Sequence, residues 1–160
     1  MRFPTARVGR QTMEFFPSPY RAPLRAFAAL VIPWRADEVL ICDIVGRGWC
    51  IPSGRVEPFE SSQEAAVREA REEAGAELAR CLYLGCYKLS DGKEVRWADL
   101  FVGEVRDLGE ILTPQESRGC QWVDLTGLPE TYYLWNDLTE AVFAHSKRVI
   151  DSARAFESEP

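Results

Sequence analysis

The stretch GRVEPFESSQEAAVREAREEAGAEL, residues 54–78, decides how this chain is read. Ser61 followed three residues later by Glu64 is a capping-box pattern, and Gly75 stands where a left-handed residue closes a helix. The two signals bound a helix at about 62–74. At the helical period, with Ala65 at zero, Glu72, Glu69 and Glu73 fall at about −20°, 40° and 80°. Ala66, Ala70, Ala74 and Val67 cover about 100° to 200°, a stripe small enough to approach a sheet closely. Three glutamates thus share one face near the helix C-terminus. There they repel one another by a few tenths of a kcal/mol per pair and oppose the helix dipole by roughly 0.3–1 kcal/mol each. From this geometry alone two readings stand: a cation site, or a surface helix laced by Glu64–Arg68 and Arg68–Glu72 pairs.

The longer spacing separates them. Gly54 is followed after five residues by Glu60, and after seven more by Arg68-Glu69-Ala70-Arg71-Glu72-Glu73-Ala74-Gly75-Ala76. This resembles the box of the Nudix hydrolase family, Gly-x5-Glu-x7-Arg-Glu-U-x-Glu-Glu-x-Gly-U, with U a bulky aliphatic residue. The fixed positions match at Gly54, Glu60, Arg68, Glu69, Glu72, Glu73 and Gly75. The chain departs at both U positions, Ala70 and Ala76, and has Ser53 where the family usually places a glycine.

The resemblance implies an α/β (α+β) fold, the family's α/β/α sandwich with a mixed β-sheet and a loop–helix–loop that holds divalent cations against a diphosphate. It implies a Mg2+-dependent hydrolase, with Mn2+ as a substitute. The reaction would cleave a phosphoanhydride bond of a nucleoside diphosphate linked to another moiety, by water attack at phosphorus. Mg2+ prefers oxygen ligands, and paired cations can clamp bridging oxygens and activate water. By resemblance Glu69 and Glu73 are metal ligands, and Glu72 is a ligand or the water-activating base. Glu60 supports the site from its loop, Arg68 orients a box carboxylate, and Ser53 and Gly54 form the adjoining loop. Family members often add one acid before a late strand. Glu116 in TPQESRGCQWVDL fits that place, with Glu94 and Glu104 as weaker alternatives.

Composition sets the frame. With 160 residues, 46% hydrophobic and 28% charged, the chain suits one domain with a real core. The net charge of −6 disfavours a general nucleic-acid binder, so a phosphate ligand has to recruit cations. The five cysteines, Cys42, Cys50, Cys81, Cys86 and Cys120, are odd in number and form no CxxC. Free thiols in a cytoplasmic protein are expected, with no structural zinc. No stretch reaches the ~18–20 apolar residues of a membrane span, and the arginine-bearing start has no apolar signal segment.

Along the chain, residues 1–23 read as an N-terminal arm. Pro4, Pro17, Pro19 and Pro23 punctuate it, and Arg2, Arg7, Arg10 and Arg21 outnumber Glu14. It packs on the domain or on a partner subunit, or stays a partly ordered tail. Strands are expected at 24–34, 38–45, 78–90, 94–105 and 120–125, with a short strand running into a Pro52-Ser53-Gly54 turn over 48–54, an Asp91-Gly92 turn and a polar loop at 109–119. A last helix is expected at about 134–152. Together these give a single layered domain over 1–160.

Other candidates carry less. His145, the sole histidine, reads as a surface residue. Trp49, Trp97, Tyr132, Tyr133 and Trp135 are candidates to stack on a base, against the plainer reading that they fill the core. Two rival functions share the fold: a non-catalytic nucleotide-sensing module and an isomerase of allylic diphosphates. The intact glutamates argue against the first, and the second lacks an identifiable cysteine–glutamate pair. A small-molecule nucleoside-diphosphate derivative is the expected partner. Family resemblance and the arm leave a homodimer open.

Overall fold

The computed structural model describes residues 2–158, so Met1, Glu159 and Pro160 lie outside the account that follows. Nine strands and three helices follow one another in the chain: β1 Ala6–Val8, β2 Gln11–Pro17, β3 Ala28–Arg35, β4 Glu38–Ile44, β5 Gly48–Cys50, β6 Ser53–Arg55, α1 Ser62–Ala74, β7 Ala76–Ser90, β8 Val95–Leu108, β9 Ser117–Asp124, α2 Leu128–Thr131 and α3 Asp137–Ser158. The sheet runs β1-β2-β7-β8-β3-β4-β5, with β6 paired to β3 and β9 to β4. Only β3 and β8 pair in parallel, so the sheet is mixed.

Helices cover both faces, and the period-two alternation of β3 shows why. Ala29 and Val31 point to one side, where they meet Ala65, Ala66, Ala70 and Ala74 of α1, with Leu40, Phe101 and Val105. Ile32 and Trp34 point to the other, where Leu138, Val142, Phe143 and Ile150 of α3 meet Leu84, Leu100 and Val102. A strand buried on both faces and paired in parallel needs such double cover. The indole Nε1 of Trp34 donates to Ser146 Oγ at 3.0 Å in this core. Removing that hydroxyl would strand a buried donor at about 1–3 kcal/mol.

Close packing answers the two departures from the box pattern, Ala70 in the alanine stripe of α1 and Ala76 at the start of β7. Ala70 and Ala76 are fully buried, and their small side chains fit where the helix lies close to β3 and β7. Both helix ends match expectation. Glu64 N donates to Ser61 Oγ at 3.0 Å, Ser61 N donates back to Glu64 Oε1 at 3.3 Å, and Gly75 is left-handed at φ 63°.

Several elements differ from the sequence reading. Residues 6–17, inside the stretch read as an arm, form a hairpin whose second strand pairs with β7 from Thr12↔Ser90 to Pro17↔Gly85. The prolines fall before the hairpin, at the last residue of that strand and beyond it, and leave its Met13 and Phe15 alternation intact. The expected turn at residues 52–54 is instead largely β6, with Ser53 paired to Leu30. Ser53 is not among the residues with positive φ, so it adopts the conformation without needing glycine's freedom. The first long strand starts at Ala28 rather than at residue 24, and β9 starts at Ser117 rather than at 120. The last helix starts at Asp137 because Asn136 caps it: Thr139 N donates to Asn136 Oδ1, and Asn136 N donates to Thr139 Oγ1. It then runs to residue 158 rather than 152.

Candidate active site

Strand β3 holds its outer neighbours at opposite ends, β6 beside Ala28–Leu30 and β4 beside Trp34–Arg35. The chain from β5 to β6 crosses the gap between them, where Val31 N donates to Pro52 O. α1 lies over this region, and its glutamate face meets the β6 loop. Ser53 N donates to Glu73 Oε1 at 2.8 Å. Gly54 packs on the Glu69 carboxylate so tightly that a β-carbon there would overlap Oε1.

Glu69 and Glu73 are only 7% and 5% exposed, which is rare for a carboxylate. Burial, helped by Glu69 and Glu116 and opposed by the Ser53 amide and Arg47, pushes the Glu73 carboxyl up to about 7. Burial raises Glu69 too, against the pull of Arg68. Glu116 thus acts electrostatically on both. The loop that carries it is pinned to the helix end: Leu112 N and Thr113 N donate to Glu72 O, and Ser117 Oγ donates to Glu73 O. Those carbonyls are ones a helix C-terminus leaves without internal partners.

Arg68 ties the other side of the face together. Its Nε and Nη2 fork onto Glu60 at 2.8 and 3.0 Å, Nη1 reaches Glu69 at 2.8 Å and Glu72 at 3.2 Å, and Nη2 also donates to Arg55 O. The Glu64–Arg68 pair expected from sequence does not form; Arg68 turns to Glu60 instead, where a bidentate fork is available. Glu60 is held below the usual carboxylate range by that guanidinium.

Ser53 and Gly54, the residues against Glu73 and Glu69, also line a cavity of about 600 Å3, with Arg55 beside them. Its walls are largely apolar, with Met13, Phe27, Leu30, Tyr87, Tyr132 and Tyr133 among them. Val8, Gln11 and Met13 come from the N-terminal hairpin, so the stretch read as an arm builds one wall. Arg47 also lines it and donates to Ser53 Oγ at 3.2 Å. No motif marks Arg47; the turn between β4 and β5 brings it within electrostatic reach of Glu73.

The remaining candidates sort clearly. Glu104 is taken by Arg154 at 2.6 Å, and Glu94 lies in the exposed β7–β8 turn. His145 is half-buried, edge-on to Phe3 at 5.4 Å, rather than a surface residue. Of the five aromatics proposed for stacking, Tyr132 and Tyr133 line the cavity and Trp49, Trp97 and Trp135 do not.

The donor set offers only oxygens, those of Glu69 and Glu73 on buried carboxylates, and that chemistry suits a hard divalent cation. Among the described residues no three His, Cys, Asp or Glu side chains converge closely enough to cage an ion as they stand. Arg68 draws Glu69 and Glu72 together through one nitrogen, and the Ser53 amide holds Glu73.

The NUDIX domain profile matches residues 24–142, and the chain belongs to the Nudix hydrolase family. Members of that family are generally dependent on divalent metals and act on small nucleotide-derived substrates. YtkD of Bacillus subtilis, provisionally named an 8-oxo-dGTP diphosphatase, is 34% identical over 80 residues, 50% of this chain and 51% of that protein. An RNA pyrophosphohydrolase of Sphingopyxis alaskensis is 28% identical over 127 residues, 66% of this chain and 80% of its own length. The chain spans about half the length of the Bacillus relatives it matches. A crystal structure of a mutant Bacillus subtilis pyrophosphohydrolase, BsRppH, superposes with a TM-score of 0.72 at 22% identity, covering 89% of this chain and 92% of that one. That likeness shows the fold. No described helix is long and apolar enough to cross a membrane.

Proposed function

We propose that this protein hydrolyses a phosphoanhydride bond of a nucleoside diphosphate derivative in a Mg2+-dependent reaction. The observation that carries the reading is the pair of buried carboxylates, Glu69 and Glu73, held against Gly54 and Ser53, two residues that line a nucleoside-sized apolar cavity. Glu69, Glu73 and Glu116 are the metal ligands in this reading, and Glu72 is a ligand or the proton acceptor from the attacking water. When bound, the cation supplies charge neutralisation on the diphosphate and activation of water.

The chain's own residues do the rest. Arg68 holds Glu60, Glu69 and Glu72 in fixed relation, and the Ser53 amide fixes Glu73. Arg47 lines the same cavity and is placed to take a phosphate oxygen. The apolar wall takes the nucleoside and keeps water from it. An 8-oxo-nucleotide and a 5′-phosphorylated RNA end are the substrate types suggested by the relatives' names. Five free thiols support a cytoplasmic setting.

A Mg2+-supplemented panel of nucleotide derivatives, read by phosphate and pyrophosphate release, tests the proposal. Turnover that stops with chelator and falls by roughly 100-fold or more in Glu73→Gln is expected. Chelator-resistant turnover, or none on any nucleotide, overturns it.

A further inference from the structure

The cavity does not end at Phe27 and Arg55. Both residues also line a shallower hollow of about 410 Å3, together with Arg25, Ala26, Val56 and Arg96. Three neighbouring segments build it, with the lead-in to β3 in the middle. Phe27 N donates to Trp97 O on one side at 2.9 Å, and Val56 N donates to Phe27 O on the other at 3.0 Å. Ala28 is the register partner of both Arg55 and Ala98. Guanidinium groups from residues far apart in sequence therefore meet around one concavity.

No ion pair within the hollow fixes the charge there, although Glu60 feels Arg25 and Asp91 feels Arg96 from outside it. No carboxylate lines the hollow, although the chain has 25 acidic residues against 19 basic ones. Among the described residues, Arg25, Arg55 and Arg96 form no ion pair within 4.0 Å. Arg25 donates only to the carbonyls of Glu57 and Glu60, at 2.7 and 3.0 Å. The Arg96 guanidinium lies over the Phe27 ring at 4.3 Å. All three arginines are exposed and repel one another unless an anion joins them.

We propose that this hollow binds a further phosphoryl group of the substrate, outside the diphosphate held at the glutamates. The idea rests on the functional reading above and extends it to substrate class: one carrying a further phosphoryl group beyond the diphosphate held at the glutamates. A guanidinium forks onto two phosphate oxygens, and Arg55, which lines both spaces, joins the hollow to the cavity. The extra group has two chemical sources, a phosphodiester beyond the bound nucleoside or a longer polyphosphate chain. Phe27 and Arg96 add a stacked surface at that edge.

Calorimetric titration in Mg2+ tests this with three adenosine ligands: the 5′-monophosphate, the 5′,3′-bisphosphate and a triphosphate with methylene bridges in place of its bridging oxygens. The wild type should bind one of the latter two roughly tenfold tighter than the monophosphate. Preference for the bisphosphate identifies the phosphodiester source, and preference for the triphosphate analogue the polyphosphate source. In Arg96→Gln, checked for an unchanged melting temperature, that preference should shrink several-fold, and Arg96→Lys should restore part of it. Arg25→Gln provides a second variant should Arg96→Gln fold poorly. Equal affinity for all three ligands, no binding of any, or an equal loss across them in Arg96→Gln overturns the proposal. Failed turnover with the ligand preference intact would instead sink the reading of the glutamates and leave this site standing.

Discussion

Gly54 lies against Glu69 so closely that a β-carbon at residue 54 would fall within its carboxylate, with even the farther oxygen, Oε2, at 3.0 Å. The box glycine is therefore a matter of space: it lets the loop close over a buried acid that Arg68 grips from the other side. In Gly54→Ala the carboxylate tip can swing away, so the fold should survive. The displaced Glu69 should lower kcat by roughly 10-fold or more, as misplacement of a catalytic group does. Wild-type kcat in a folded Gly54→Ala protein would contradict this role.

Arg68 is a positioning residue whose worth lies in its shape. It hydrogen-bonds three glutamates, Glu60, Glu69 and Glu72, through a planar fork that lysine cannot reproduce. Arg68→Lys should reduce kcat roughly 10–100-fold, the usual effect of removing a partner that orients ligands. Because the side chain is partly exposed, the melting temperature should change little. A large fall in melting temperature with normal kcat would assign Arg68 to stability instead.

Glu73 ties stability to pH. Its ordinary value is 4.5, and burial raises it to about 7 in the fold. The folded state thus binds this proton more tightly than the unfolded chain. The contribution is full below about 4.5 and is lost as pH rises through about 7. Thermal melts in chelator should show stability falling across that window more steeply in the wild type than in Glu73→Gln. Added Mg2+ should raise the melting temperature more at high pH than at low, because the ligand carboxylates must be ionised. Parallel pH profiles for the two proteins would refute the assignment.

Gly75 carries a structural constraint of a different kind. It is left-handed at φ 63°, and a β-carbon would press on backbone, lying 2.8 Å from Glu110 O. Backbone cannot swing aside as a side-chain tip can. Gly75→Ala should cost about 1–3 kcal/mol from the conformation alone, more with the contact. Urea titration would measure this, and a loss under 0.5 kcal/mol would show that the loop relaxes freely.

The N-terminal hairpin supplies a wall of the cavity through Val8, Gln11 and Met13. Met13→Ala should raise KM for the preferred nucleotide several-fold and leave kcat nearly unchanged, the pattern of lost uniform binding. A fall in kcat at constant KM would place the hairpin's influence on chemistry.

The legibility of this protein follows the range of its interactions. The cap at Ser61, the left-handed Gly75, the alanine stripe and the spacing of Glu69, Glu72 and Glu73 are set within a few helical turns, so they could be read directly. The β7–β8 turn was legible for the same reason: Asp91 Oδ1 accepts from both Lys93 N and Glu94 N across adjacent residues. The hairpin at residues 6–17 was not, because what makes it part of the sheet is pairing with β7, more than 60 residues on. Its three-residue first strand and its prolines resemble a tail until that partner is known.

By itself, then, the sequence determined the helix, the order of its acids and the family to which the box belongs, since local periodicity and capping leave one geometry for them. Tertiary structure alone decided that Arg68 leaves Glu64 for Glu60, that Gly54 shuts on Glu69, and that Arg47, Met13 and Phe27 share a cavity with the box loop. Those relations come from which strands lie side by side and in what register. A register is settled only when distant segments bury their apolar faces together.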